Sequence, residues 1–141
     1  MLFGKHKQIV KRILIVEDEP LTAFDNETML AEAGYEVVAT VDRVADALAT
    51  MDREQVDLIM ADVRLSGERT GIDLARVARE RGIHVLFATG AVPDEAEGLA
   101  LGCLMKPYNQ KTLKAALKAV DLHLAGERAK PPKGLHLYSA T

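Results

Sequence analysis

Short aliphatic runs alternate with amphipathic segments along most of this 141-residue chain, and that alternation constrains the fold more than any other feature. The runs fall at residues 13–17, 35–39, 56–61, 84–88 and 103–105. Ile13 to Val16 is aliphatic without alternation, the pattern of a strand buried on both faces. Between the runs the spacing predicts a helix over 21–33, stopped by Gly34. A second helix, capped by Asp42, carries Val44, Ala47, Leu48 and Met51 at i, i+3, i+4 and i+7. A third spans 71–81 and ends at Gly82, and a weaker candidate at 94–101 is interrupted by Gly98. Leu113, Ala116, Leu117, Val120 and Leu124 mark the last helix. Strands alternating with helices imply a parallel sheet, because each crossover helix must pack on a sheet face. Right-handed crossovers then give a doubly wound α/β fold, here (βα)5. Folds of this kind place their sites beyond the carboxyl ends of the strands.

The strand ends carry Glu17-Asp18-Glu19, Asp62, Thr89-Gly90 and Lys106-Pro107. In "ILIVEDEP" (residues 13–20) the apolar run meets three consecutive acids. Two carboxylates about 4 Å apart at an effective dielectric near 20 repel by roughly 4 kcal/mol. One reading is a helix start, with Pro20 in the first turn and the charges on the positive end of the helix. The other is a metal or catalytic site. In a parallel sheet the end of "VDLIMAD" can stand beside the end of "ILIV", bringing Glu17, Asp18 and Asp62 together. Such a trio is a natural hard-cation site. Magnesium suits it, taking a few carboxylate or carbonyl oxygens at about 2.0–2.1 Å and keeping several waters. Lys106 adds a positive charge opposite the metal, and Thr89 adds a hydroxyl. Together they form a phosphoryl-handling set in which the aspartate attacks as nucleophile. Glu19 reads as a helix-start charge and Asp57 as a strand-start residue.

Composition narrows the function classes. The length suits one well-packed domain, and 48% hydrophobic with 28% charged residues is ordinary for a globular protein. A net charge of -3 makes no case for a nucleic-acid partner. No apolar stretch reaches the ~20 residues needed to span a membrane. The basic start (Lys5, His6, Lys7, Lys11, Arg12) is not followed by an apolar h-region, so no secretory signal is expected. Cys103 is the only cysteine, which rules out an internal disulfide and suits a reducing cytoplasm. No Cys/His metal-binding spacing occurs. The expected layout is a basic arm at 1–10, a folded domain at 11–125 and a tail at 126–141. The tail is expected to be flexible or loosely docked, although its apolar "LHLY" leaves room for packing.

With "ILIVEDEP", "VDLIMADVRL", "VLFATG" and "LMKPY" in this order, the chain resembles the receiver domains of two-component response regulators. The resemblance covers residues 11 to 125. It implies the flavodoxin-like strand order 2-1-3-4-5, with Asp62 as phosphoacceptor and Asp18 as a direct magnesium ligand. Glu17 would act through a metal-bound water, the backbone carbonyl of Arg64 would complete the protein ligands, and Thr89 and Lys106 would bind phosphoryl oxygens. The implied partners are a histidine kinase as phosphodonor and a downstream protein.

Three departures stand out. Cys103 occupies the place where receivers resemble one another in a switching aromatic, which leaves Gly90, Cys103 and Tyr108 as the expected switch region. Ser66 replaces the proline usual after the third strand. "FATG" followed by Ala91-Val92 resembles the "FATGUY" receivers of alphaproteobacteria, with Val92 where that motif has Tyr. Those receivers are stand-alone regulators paired with HWE-type kinases. The favoured function is thus a single-domain phosphoacceptor that signals by protein contacts or drains phosphate from a kinase. The alternatives are a pseudo-receiver working without phosphorylation, which the intact acid set argues against, and a magnesium phosphohydrolase. The hydrolase lacks both a second acid close to the nucleophile and a substrate cap. Three glycines and few bulky apolar residues over 90–102 also predict a weakly ordered segment there, one that phosphorylation would order.

Overall fold

The computed structural model describes residues 8–65 and 67–138. Lys5, His6, Lys7 and Ser66 lie outside them. Five parallel strands form the centre of the sheet: β1 (Arg12–Val16), β2 (Glu36–Val41), β3 (Leu58–Ala61), β4 (His84–Thr89) and β5 (Gly102–Met105). Helices α1 (Pro20–Glu32), α2 (Val44–Arg53), α3 (Gly71–Glu80) and α4 (Gln110–Leu124) cross over between or after them. A last strand, β6 (Leu135–Leu137), runs antiparallel to β5, and the sheet order is β2-β1-β3-β4-β5-β6. The expected order 2-1-3-4-5 is present, extended by one strand.

The aliphatic runs form the middle of a sandwich. Leu14, Val16, Ile59, Ala61, Val85, Phe87 and Cys103 face one layer, which includes Val44 and Ala47 of α2 and Leu74 and Ala78 of α3. Ile13, Ile15, Leu58, Met60, Leu86 and Leu104 face the other, with Leu30 of α1 and Leu113, Leu117 and Val120 of α4. Alternate residues of one strand thus enter opposite layers, and both sets are apolar because both faces are covered. Burying each Val, Leu, Ile, Met or Phe side chain among them contributes roughly 1.5–3 kcal/mol.

The structure corrects three expectations. The 94–101 segment is not a helix but a compact series of turns with a Glu97–Ala100 bridge. Gly98 stands at φ +96°, a left-handed conformation that a helix interior does not accommodate. Among the described residues the chain therefore has four helices where (βα)5 expects five, the one absent being that between β4 and β5. Arg43, not Asp42, is the N-cap of α2, and Asp46 supplies the acid of its first turn. The tail is not loose: it returns as β6, with Leu135 buried. At the other end, Val10 is fully buried, and the N–H groups of Ile9 and Val10 donate to Asp121 Oδ1 at 2.9 and 2.7 Å. No helix among the described residues is long and apolar enough to cross a membrane.

Candidate functional site

Three residues of the site hang by their backbone N–H from the end of a neighbouring strand. Glu17 donates to Val41 O (2.9 Å), Asp62 to Val16 O (3.0 Å) and Lys106 to Thr89 O (2.9 Å). The sheet ladder thereby carries its register one residue past β1, β3 and β5, and places three side chains of different chemistry at one edge. Val16 pairs with Ala61, and Thr89 with Met105, so neighbouring strands end level.

The side chains converge. Lys106 Nζ lies 2.7 Å from Glu17 Oε1 and 2.9 Å from Asp62 Oδ2. Glu17, Asp18 and Asp62 each offer a carboxylate oxygen, and these atoms lie within 4.8 Å of one another. Burial pushes the Glu17 carboxyl above its ordinary range; the Lys106 bond opposes this and the Asp62 charge adds to it. For Lys106 burial acts downward, but the bonds and charges of Glu17 and Asp62 prevail and hold the ammonium above the usual lysine range. A carboxylate 3% exposed beside a second carboxylate is costly, and the lysine offsets part of that cost.

The surrounding residues divide between site and scaffold. The Arg64 N–H donates to Asp62 Oδ1 at 3.3 Å, which shapes the loop after β3 around that carboxylate. Thr89 is buried, but its hydroxyl is turned into the next loop, donating to Ala91 O (3.0 Å) and accepting from the Ala91 N–H (3.2 Å). Gly90 has open space where a Cβ would stand. Cys103 is fully buried with its Sγ 3.3 Å from Tyr138 Oη. Tyr108 donates to Asn26 Oδ1 at 2.6 Å, and Gln110 Nε2 donates to Met29 O, so the loop after β5 is stapled to α1. Burial raises the Tyr108 hydroxyl well beyond its ordinary value. Glu19 is the N-cap of α1 and accepts from the Thr22 hydroxyl, while its own N–H donates to Glu17 Oε2. Glu19 thus stands at the helix start, while Glu17 and Asp18 cluster with Asp62. Asp57 accepts the N–H groups of Lys11 and Arg12, a bracket at the opposite end of the sheet.

Gly71 is a supporting residue that the sequence reading treats only as a helix start. A Cβ at this first residue of α3 would lie 2.2 Å from Asp62 O and 2.9 Å from Val63 Cα. Its N–H donates to Val63 O, and the Thr70–Asp73 capping box holds the helix start in place. The signal in the sequence was a glycine beginning a helix, where glycine is a poor helix former.

A doubly wound sheet with clustered acids and a lysine at its carboxyl edge defines a class of α/β proteins whose site lies beyond the strand ends. The family model of the response regulator receiver domain matches residues 13–118, across all these strand ends, and the chain belongs to that family. It is similar to the two-component response regulator PhoP of Pseudomonas aeruginosa, with 36% identity over 116 residues, 77% of this chain and 51% of the relative. The chain spans about half the length of the curated relatives it matches. Among solved structures it is similar to the chemotaxis response regulator CheY4 of Vibrio cholerae (28% identity, TM-score 0.69, 79% of this chain and 98% of that one). It is also similar to the response regulator TrrA of Thermotoga maritima in complex with Mg(2+)-BeF (26% identity, TM-score 0.70, 78% and 98%).

Proposed function

We propose that the chain accepts a phosphoryl group from a histidine kinase onto Asp62 in a magnesium-dependent reaction, and passes the signal on as a single-domain regulator. The observation that carries this reading is the Lys106 ammonium bridging Glu17 and Asp62 beside Asp18. The donor set fits magnesium: hard carboxylate oxygens, clustered within 4.8 Å of one another. Asp18 and Asp62 would hold it directly, Glu17 through a water, and the Arg64 carbonyl would complete the protein ligands. When bound, the ion would neutralise charge on the phosphoryl oxygens.

In the transfer, an Asp62 oxygen forms the new P–O bond as the donor's P–N bond breaks; the electron pair stays on the imidazole nitrogen, which then takes a proton from water. Lys106 is placed to follow the developing charge, because its Nζ already touches the accepting carboxylate. Thr89 can bind a phosphoryl oxygen once its hydroxyl releases Ala91 O. The protein thus acts on its own side chain and not on a free substrate. A cytoplasmic kinase partner fits this reading, and the "FATG" segment supports an HWE-type kinase and the "FATGUY" subclass. The likeness to CheY4 over 98% of that chain supports output through protein contacts or a phosphate-sink role. Gly90, Cys103 and Tyr108 are the proposed switch region. Incubation with magnesium and acetyl phosphate, followed by mass spectrometry, tests the reading. Stable labelling supports it, whereas no reaction favours a module working without phosphorylation.

A further inference from the structure

The strand that closes the sheet is short, yet it begins beside the site. β6 pairs with β5 through Gly102–Leu137, Cys103–His136 and Leu104–Leu135. The Met105 N–H donates to Gly134 O (2.9 Å) and the Tyr138 N–H to Leu101 O (3.0 Å). Gly102 makes the approach possible: a Cβ there would lie 2.3 Å from His136 O and 3.2 Å from Leu137 Cα. Past the strand, Tyr138 turns inward: its Oη lies 3.3 Å from Cys103 Sγ, and it belongs to the same buried cluster as Ala96 and Ala100, on the sheet face where the expected helix of 94–101 is missing.

Two connections run from this strand to the acidic edge. One is β5 itself, where Met105 holds Gly134 and the next residue, Lys106, bridges Glu17 and Asp62. The other is the 90–101 loop. Thr89 Oγ1 ties down its start through Ala91, and Leu101 O holds Tyr138 at its end. A phosphoryl group on Asp62 competes for both. It draws Lys106 Nζ to new oxygens, and the Thr89 hydroxyl, with one proton, can donate to the phosphoryl group only by releasing Ala91 O.

We propose that residues 134–138 form a displaceable strand, docked on β5 in the unmodified chain and released when Asp62 carries a phosphoryl group. This rests on Asp62 being the acceptor. Tyr138 then takes the part that an aromatic at position 103 would have played, supplied from the tail and acting by leaving. A three-residue strand held by few bonds belongs to the low-stability end of a domain, where local opening is readily biased.

The buried thiol of Cys103, the chain's only cysteine, is a built-in reporter because Tyr138 covers it. The full chain is treated with magnesium and acetyl phosphate, and labelling of Asp62 is verified by mass. Cys103 alkylation by iodoacetamide and hydrogen exchange over 134–138 are then measured. Labelled protein is expected to alkylate roughly tenfold faster, a change of about 1.4 kcal/mol in the opening equilibrium, and to lose protection at 134–138. Gly102→Ala is expected to reach the fast state without phosphorylation. Labelled Asp62 with unchanged Cys103 reactivity and tail protection overturns the displaceable strand alone. Absence of labelling overturns the phosphoacceptor reading and the strand with it.

Discussion

Lys106 Nζ sits 2.7 Å from Glu17 Oε1, joining a lysine just past β5 to an almost fully buried acid just past β1. The bond spans 89 positions in the chain and reaches across the sheet edge where Asp62 also points. It lets the metal-free protein tolerate a cluster of acids, and it holds the ammonium where negative charge is expected to arrive.

Asp62→Asn should abolish acid-labile phosphorylation by acetyl phosphate while leaving the fold intact, since the amide nearly preserves the carboxylate's shape. Wild-type labelling should also vanish when divalent cations are chelated. Intact-mass spectrometry with and without a chelator measures both. Undiminished labelling of the Asn variant would refute the assignment.

Magnesium should raise the melting temperature, because it relieves repulsion among Glu17, Asp18 and Asp62. A ligand that binds only the folded state adds about 2.7 kcal/mol at 100 times its dissociation constant. Asp18→Asn should leave the metal-free chain as stable or more stable and remove most of the magnesium response. Thermal melts of both proteins across a magnesium titration decide it; a wild type indifferent to magnesium speaks against a metal site.

Glu17 should make the metal-free protein less stable as pH rises above the ordinary carboxyl value of 4.5. Burial raises its folded value, so the folded chain binds that proton more tightly than the unfolded chain does. Stability then falls between the ordinary and the raised value as the buried carboxylate ionises. Lys106 has the opposite charge and another window: its contribution is complete below 10.5 and fades as pH climbs through its raised folded value. Melts in chelator over a pH series should show the acid-side slope, and Glu17→Gln should flatten it. An equal slope in that variant assigns the effect elsewhere.

Gly71→Ala should destabilise the domain by about 1–3 kcal/mol, the usual cost of overpacking, and slow labelling of Asp62. The added methyl would press on the Asp62 carbonyl. Gly90→Ala, at a position with open space and no left-handed φ, should change stability little. Denaturant titration and labelling rates on the two variants test the contrast. Equal behaviour removes the proposed role of Gly71.

What the amino-acid order determined by itself was local. Ile13 to Val16, Leu58 to Ala61 and Val85 to Ala88 are apolar on both faces, which a strand between two helical layers requires. The acids, Asp62 and Lys106 follow their strands directly, so the strand ends and their chemistry could be read together. What only the tertiary structure decided depends on partners far away in the chain. The tail becomes β6 because β5 presents an open edge and Gly102 admits a backbone at close range. Three residues hold too little pattern to announce a strand. The 94–101 segment stays unwound because Gly98 turns left-handed, and Tyr138, from another part of the chain, joins the buried cluster on that face. Thr89 illustrates the same division: its position at the strand end was legible, but the direction of its hydroxyl was not. A hydroxyl rotates to suit whichever acceptor the folded loop brings nearest, and in this chain that acceptor is Ala91 O.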